Sequence, residues 1–241
     1  MIGNRRLLAI ITARGGSKRL VRKNVLQIAG KSLIAWSIEA GLQSKYVDRV
    51  VVSTDDEEIA EISRYHGADI PFMRPLELAN DTASSTDVLR HSVRTLEASG
   101  DGYEYLLHLQ PTSPLRTARH IDEAVELLIQ KEANAVIGVT EIGHPIEWAS
   151  TLPENLSMDG FVSKKNQEKR FQDFPQRYCI NGAIYLCKVD SIMKEDGVFF
   201  KKGSYAYKMD QMVSVDIDTQ KDFMVAETLI KHSECLKPRS S

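Results

Sequence analysis

The sequence predicts an α/β protein built on a mostly parallel, doubly wound sheet. Short apolar runs rich in β-branched residues alternate along the chain with segments whose apolar residues recur at helical spacing. This alternation is typical of a sheet covered by helices on both faces and connected by right-handed crossovers. The 241 residues suit a single domain, and that length is enough to bury a sizeable core.

Residues 1–140 are predicted to contain four strands and four helices in alternation. Each predicted strand is a nearly continuous apolar run, as expected where both faces of a strand are buried. Asp55 and Asp56 precede the second helix, where an acidic side chain can cap the first turn. The strands are Leu7–Thr12, Arg49–Thr54, Tyr105–Leu109 and Ala135–Thr140. The helices are Leu33–Leu42, Glu57–His66, Thr86–Ala98 and a segment around the stripe of Ile121, Ala124, Val125 and Leu128.

The alternation lapses between residues 141 and 180. This stretch is rich in polar residues, contains Pro145, Pro153 and Pro175, and is too long for a simple connection inside a compact domain. We therefore expect an arm, a lid or a dimerisation element, inserted into a single domain that spans residues 1–241.

The core is expected to resume after this insertion. Ala183–Cys187 predicts a strand, and Val213–Ile217 predicts a last strand that leads into a final helix. Thr219, followed three residues later by Asp222, has the spacing of a helix cap.

Composition argues against several classes of protein. Lys plus Arg total 31 and Asp plus Glu total 33, and the net charge of −2 argues against a nucleic-acid partner, whose binding domain is usually strongly basic. No stretch approaches the roughly 18 apolar residues that span a bilayer, and the N-terminus lacks the apolar core of a secretory signal. The cysteines have no Cys-x-x-Cys spacing, so we expect free thiols in a cytoplasmic protein with no membrane partner. They are Cys179, Cys187 and Cys235.

A glycine-rich basic loop follows the first predicted strand. Ligands of an open α/β sheet bind outside the carboxyl ends of its strands, so this loop is a candidate site. Gly15 and Gly16 would let the backbone approach a phosphate chain, whose charge the N–H groups and cations would neutralise. We predict a nucleoside triphosphate site here, with a solvated basic turn as the alternative. The five cations of this acid-free loop are Arg14, Lys18, Arg19, Arg22 and Lys23.

Two better-known phosphate motifs are absent from the sequence. Gly30-Lys31-Ser32 matches the end of a Walker A loop, but Val25 stands where the required first glycine would be. No Gly-x-Gly-x-x-Gly follows the first strand, which argues against a nicotinamide dehydrogenase.

Asp216 and Asp218 lie at the end of the last predicted strand. Side chains two residues apart on extended backbone point to the same face, and two adjacent carboxylates repel unless a cation joins them. Mg²⁺ prefers carboxylate oxygens together with phosphate oxygens. Beside a triphosphate loop, a metal site is favoured over the alternative of one helix cap and one surface aspartate.

Six motifs of this chain occur in the order found in one known family. They are ARGGSKRLVRKN, VSTDDEEIAEI, RPLELANDTASS, LQPTSPLR, NGAIY and SVDIDTQKDF. The chain therefore resembles the acylneuraminate cytidylyltransferases (CMP-sialic acid synthetases), over a match that runs from about Leu8 to Thr228. The resemblance implies a Rossmann-like, GT-A-like nucleotidyltransferase fold, a homodimer formed through the 141–180 arm, and Mg²⁺ as cofactor. It implies CTP and an acidic nine-carbon sugar as partners, and the reaction CTP + N-acylneuraminate → CMP-N-acylneuraminate + pyrophosphate.

The resemblance also implies roles for individual residues. The nucleotide-binding positions are Arg14, Ser17, Lys18, Lys23, Asn24, Arg74 and Ser85. The sugar-side positions are Gln110, Thr112, Ser113, Arg170, Asn181, Tyr185, Phe199 and Phe200. Asp216 and Asp218 match the metal-binding aspartates, and the expected catalytic residues are Arg14, Lys23 and Asp218.

Two positions depart from the family pattern. Arg170 is displaced by one residue, and Arg177 is another candidate for its role. Glu147 stands where some members place a lysine, beside Trp148, which indicates a different sugar substituent or a different arm.

We expect direct transfer, in which the anomeric hydroxyl of the sugar attacks the α-phosphorus of CTP and pyrophosphate leaves in line. Asp218 is the expected general base, either directly or through metal-bound water. Legionaminate, pseudaminate and keto-deoxyoctulosonate are alternative acceptors. A nucleotide-binding regulatory module without turnover is an alternative of another class, although binding alone would not require the paired aspartates.

Overall fold

The computed structural model describes residues 2–194 and 199–235, and for residues 233–235 the backbone alone. The described chain contains eight strands: β1 (Leu7–Thr12), β2 (Gln27–Ile28), β3 (Lys31–Ser32), β4 (Arg49–Ser53), β5 (Tyr105–Leu109), β6 (Ala135–Glu141), β7 (Tyr178–Lys188) and β8 (Ser204–Met209). Six of them form one sheet in the order β4-β1-β5-β7-β6-β8, and β2 and β3 form a separate small hairpin. The pairs β1–β4, β1–β5 and β6–β8 are parallel, whereas β7 runs antiparallel to both neighbours. The predicted α/β class with a mostly parallel sheet is confirmed.

Helices cover both faces of this sheet. They are α1 (Leu33–Leu42), α2 (Glu57–Tyr65), α3 (Ser85–Ala98), α4 (Ala118–Gln130), α5 (Lys164–Gln167), α6 (Val189–Ile192) and α7 (Gln220–Cys235). Alternate residues of β1 point to opposite faces: Leu7 belongs to a core cluster that includes residues of α1, α2 and α4, and Leu8 to one that includes residues of α3 and α6. This double burial explains the uninterrupted apolar run of β1. None of the described helices has the length and apolar character needed to cross a membrane.

Two helix caps predicted from the sequence are confirmed. The Asp56 carboxylate accepts a hydrogen bond from the Ile59 amide at 3.0 Å, at the start of α2. Before α7, the Asp222 carboxylate accepts from the Thr219 amide at 2.8 Å, while the Thr219 hydroxyl accepts from the Asp222 amide at 3.3 Å. These bonds satisfy N–H groups that a helix start leaves without an intrahelical partner.

The predicted strand at Val213–Ile217 is wrong. A 3₁₀ turn spans Gln211–Val213, irregular backbone follows, and the edge strand beside β6 is instead β8. Val213, Val215 and Ile217 belong to or pack against a core cluster with residues of α1 and α7, so their alternating spacing serves side-chain packing and not a strand ladder. Asp216 and Asp218 still line an open cavity, while Ile217 between them is fully buried.

Residues 142–177 lie outside the sheet, between the end of β6 and the start of β7. The stretch holds short helical turns at Ile146–Trp148, Lys164–Gln167 and Phe171–Asp173. Glu147, the departure from the family pattern, pairs with Arg177 at 2.5 Å. Several large apolar side chains are exposed along it, namely Ile146, Trp148, Leu152, Leu156, Met158 and Phe171. The predicted break in the alternation of strands and helices is therefore confirmed. Dimerisation through this arm stays a prediction.

Candidate active site

A cleft with a cavity volume of about 590 Å³ opens where β1 and β5 end. Its walls come from four regions of sequence: the basic loop after β1, the start of α3, the turn after β5, and the segment before α7. The lining residues are Thr12, Arg14, Ser17, Lys18, Arg19, Leu20, Lys23, Asn24, Ser85, Gln110, Pro111, Thr112, Asp216 and Asp218. Most of the residues predicted from the sequence for nucleotide and metal binding therefore face one cavity.

The basic loop and the paired aspartates are in direct contact. Lys23 Nζ donates to the Ile217 carbonyl at 2.6 Å and to Asp218 Oδ1 at 3.1 Å. Arg19 Nη1 donates to Asp218 Oδ2 at 3.0 Å. Segments about 195 residues apart in sequence thus meet at a single charged junction.

A smaller cavity of about 280 Å³ adjoins the cleft and shares Thr12, Arg14 and Ser85 with it. Arg74 also lines this cavity, where its Nε donates to Ser53 Oγ at 3.1 Å and its guanidinium also donates to the Ser53 carbonyl. Burial lowers the pKa of Arg74 to about 10, so the group stays protonated at neutral pH. A charged guanidinium therefore lies beside the cleft.

Arg22 differs from the other four cations of the loop. It does not line the cleft, its backbone is left-handed (φ 56°), and its guanidinium pairs with Asp56 and Glu58 at the start of α2. Asp55 in turn accepts a hydrogen bond from the Gly15 amide at 3.1 Å. The acidic pair predicted only as helix caps therefore also anchors the basic loop.

Replacing Gly15 by alanine should destabilise the fold. The added Cβ would lie 2.6 Å from Asp56 Oδ2 and 3.0 Å from Asp56 Cβ, and Asp56 is held by its helix cap and by Arg22. We expect a loss of about 1–3 kcal/mol in the free energy of unfolding, the usual cost of forcing extra volume into a packed site. Gly16→Ala is the matched control, because nothing lies within 4 Å of its added Cβ. Equal urea denaturation midpoints for the two variants would contradict this reading.

Asp216 and Asp218 form a carboxylate pair suited to a divalent cation. Asp216 reaches solvent through the cleft but is crowded by protein on its other sides, and this partial burial raises the pKa of its carboxyl. A hydrogen bond from Thr112 opposes that rise, and the charge of Asp218 adds to it. A cation would relieve the repulsion between the two groups, and carboxylates are the protein ligands that Mg²⁺ prefers beside phosphate oxygens.

The residues predicted for the sugar side are only partly brought together. Gln110 and Thr112 line the cleft, whereas the hydroxyl of Ser113 is buried without a hydrogen-bond partner. Asn181 is buried, and its side-chain amide donates to Ser214 Oγ at 3.0 Å. Tyr185 stacks on His108, with ring centroids 5.8 Å apart, and meets Phe199 edge-on.

Two residues predicted for the sugar side lie at the surface of the chain. Arg170 pairs with Asp173 in the arm, and its side chain is 73% exposed. Phe200 is 74% exposed. Neither side chain lines the cleft, so a role for them in sugar binding stays a prediction.

Thr12 and His108 are site residues that the sequence argument missed. Thr12 lines both cavities, and its hydroxyl lies 2.9 Å from His108 Nε2. Burial lowers the pKa of His108 to about 4, with the positive charges of Arg116 and Arg74 adding to the effect, so its ring is neutral at physiological pH. A polar residue at the end of β1 and a histidine inside the apolar run of β5 were the available signals.

A sequence model described as cytidylyltransferase matches residues 8–237. The chain belongs to this cytidylyltransferase family. A pseudaminic acid cytidylyltransferase of Campylobacter jejuni is 38% identical over 224 residues, which cover 93% of this chain and 96% of the relative. An N-acylneuraminate cytidylyltransferase of Escherichia coli is 37% identical over 228 residues, or 93% of this chain and 52% of that longer protein. These matches confirm the resemblance to the acylneuraminate cytidylyltransferases.

The fold of this cytidylyltransferase is also found in solved structures. A CMP:2-keto-3-deoxy-manno-octonic acid synthetase complexed with CTP superposes with a TM-score of 0.70 at 18% sequence identity. The superposition covers 95% of this chain and 99% of that one. At this identity the likeness supports the nucleotidyltransferase fold alone.

Proposed function

We propose that this cytidylyltransferase transfers CMP from CTP to an acidic nine-carbon sugar of the sialic acid class and releases pyrophosphate. The observation that carries the proposal is the contact between the basic glycine loop, through Lys23, and the paired aspartates, through Asp218. Together they offer positive charge to a triphosphate and two carboxylates to a cation within one cleft. N-acylneuraminate is the acceptor that the sequence motifs favour.

The cations of the loop are already held in place by acids of the chain itself. Arg14 Nη1 pairs with Asp81 Oδ1 at 2.9 Å, Lys18 pairs with the same carboxylate, and Lys23 pairs with Asp218. A bound triphosphate would exchange these carboxylate partners for phosphate oxygens. Arg14, Lys18 and Lys23 would then absorb the charge that develops on the leaving pyrophosphate.

The reaction requires one bond to form and one to break at the α-phosphorus. The anomeric oxygen of the sugar forms the new P–O bond, the bond to pyrophosphate breaks in line, and Asp218 takes the hydroxyl proton. Asp216 and Asp218 would hold Mg²⁺, which would supply positive charge to the phosphate oxygens and favour deprotonation of the attacking hydroxyl. Gln110 and Thr112, which line the same cleft, would orient the acceptor.

Pseudaminate is a second candidate acceptor, favoured by the extent of the match. The pseudaminic acid relative aligns over 96% of its length, whereas the N-acylneuraminate relative aligns over only 52%.

We also propose that the exposed apolar side chains of residues 142–177 are buried in a homodimer.

Pyrophosphate release from CTP tests this proposal. N-acetylneuraminate, pseudaminate, legionaminate and keto-deoxyoctulosonate would each be supplied with CTP, with and without Mg²⁺. We expect release that requires both the acid and Mg²⁺, with the highest kcat/KM for one of the nine-carbon acids. ATP in place of CTP is the control for nucleotide specificity. Binding of CTP without pyrophosphate release on any acid would instead favour the regulatory module.

A further inference from the structure

Arg116 is a buried cation in the turn between β5 and α4. The residue is 2% exposed, and none of the ion pairs among the described residues includes it. Burying an unpaired charge is costly, and apolar residues of similar volume usually serve a purely packing role at least as well. Packing alone therefore does not explain why a guanidinium occupies this position.

The guanidinium joins two separate segments of the site. Its Nη2 donates to Ser37 Oγ at 2.6 Å, and its Nη1 donates to the Ala183 carbonyl at 3.4 Å. The Ser37 hydroxyl, itself fully buried in α1, donates onward to the Gln110 carbonyl at 3.2 Å. A planar fork of donors can reach two acceptors at once, which a lysine ammonium cannot do in the same geometry.

The turn held in this way carries the acceptor side of the cleft. The Gln110 carbonyl also accepts from the Ser113 amide at 3.4 Å, so the turn closes on the same oxygen. The Thr112 carbonyl accepts from the Ile217 amide at 2.9 Å, between the paired aspartates. This hydrogen bond therefore ties the segment that carries Asp216 and Asp218 to the same turn.

We propose that Arg116 and Ser37 form a buried relay that positions the turn of residues 110–116 against Ala183 and the paired aspartates. Both are positioning residues, because neither lines the cleft. The inference rests on the proposed function, in which this turn orients the acceptor. The relay supports binding of the acceptor acid, whereas the basic loop binds CTP.

Ser37→Ala tests the relay, with Ser92→Ala as the matched control. Ser92 is equally buried in a helix, but its hydroxyl donates to the Val88 carbonyl of its own helix. We expect Ser37→Ala to raise the KM for the acid and lower kcat, reducing kcat/KM by about tenfold or more, since small misplacements of positioning groups are expensive in rate. The Kd for CTP measured without the acid should change by less than about twofold.

A second readout does not depend on catalysis. Amide hydrogen exchange at Ser113 and Ile217 should be faster in Ser37→Ala than in Ser92→Ala, because both amides donate to the turn. In an Arg116→Met background the further change to Ser37→Ala should have little added effect on either readout, as expected for residues that act in series. Should Arg116→Met fail to fold, the single serine variants decide the matter.

The proposal would be overturned if Ser37→Ala had the same KM for the acid and the same kcat as Ser92→Ala. Unchanged hydrogen exchange at the amides of Ser113 and Ile217 would also overturn it. A weakened Kd for CTP equal to the loss in kcat/KM would also overturn it, because the effect would then belong to the nucleotide. Failure of the proposed function is distinguishable, since wild-type protein would then release no pyrophosphate while the exchange comparison still reports on the turn.

Discussion

Replacing Asp218 by asparagine should reduce kcat by about three orders of magnitude while leaving the fold intact. The change removes a charge that would bind the metal and accept the proton, and metal charge stabilisation of this kind contributes several kcal/mol, with each 1.4 kcal/mol worth about tenfold in rate. It also removes the carboxylate partner of Lys23 and Arg19 at the junction of the cleft. Steady-state pyrophosphate release measures kcat. CTP affinity measured by calorimetry checks that the variant is still folded.

Asp210→Asn is the control for this variant. Asp210 lies eight positions earlier in the same segment, accepts from the Met212 amide at 2.7 Å, and does not line the cleft. An asparagine there keeps an acceptor oxygen, so turnover should stay near that of the wild type. Near-normal kcat in Asp218→Asn, or equal losses in the two variants, would defeat the assignment of Asp218.

Gly182→Ala should reduce kcat/KM by about a hundredfold through displacement of Gln110. Gly182 has φ +73°, and an added Cβ would lie 2.7 Å from Gln110 Oε1 and 3.5 Å from Asp216 Oδ2. Left-handed backbone costs an alanine about 1–2 kcal/mol, so some loss of stability should accompany the loss of activity. Steady-state kinetics with the best acid, together with thermal unfolding, separates the two effects.

Two companion variants isolate the clash from the backbone strain. Gly100 has φ +84° and nothing within 4 Å of its added Cβ, so Gly100→Ala should lose stability without losing activity. In a Gln110→Ala background, adding Gly182→Ala should have little further effect on kcat/KM, because the clashing atoms are gone. Additive losses in the double variant would show that strain at residue 182, and not the position of Gln110, causes the defect.

The elements recovered from sequence are those whose signals are local. β1, β5 and α1 have the predicted bounds, because each combines an uninterrupted apolar pattern with flanking residues that end it. β8 was missed, since the residues of this edge strand are mostly exposed or half-buried and lack the continuous apolar run of the buried strands. The antiparallel direction of β7 was also beyond reach, because its partners lie far away in the sequence.

The site shows the same division between local and distant information. The contact of Lys23 with Asp218 agrees with the expectation that the basic loop and the paired aspartates face one cleft, although Asp218 follows irregular backbone and not the predicted strand. The contacts of Arg116 with Ser37 and Ala183 had no sequence signal, because a buried arginine looks like a surface arginine until its neighbours are known. Thr12 and His108 likewise reveal their contact only when β1 and β5 pair.

The reversed direction of β7 has a consequence for how this protein can diversify. Because β6 and β7 are antiparallel, with Glu141 opposite Tyr178, residues 142–177 are topologically the long loop of a hairpin. The chain leaves and re-enters the sheet at the same edge where β5 delivers Gln110, so loop length can vary without repacking the sheet interior. The length and sequence of residues 142–177 can therefore change while the strand pairing on either side of the segment is kept.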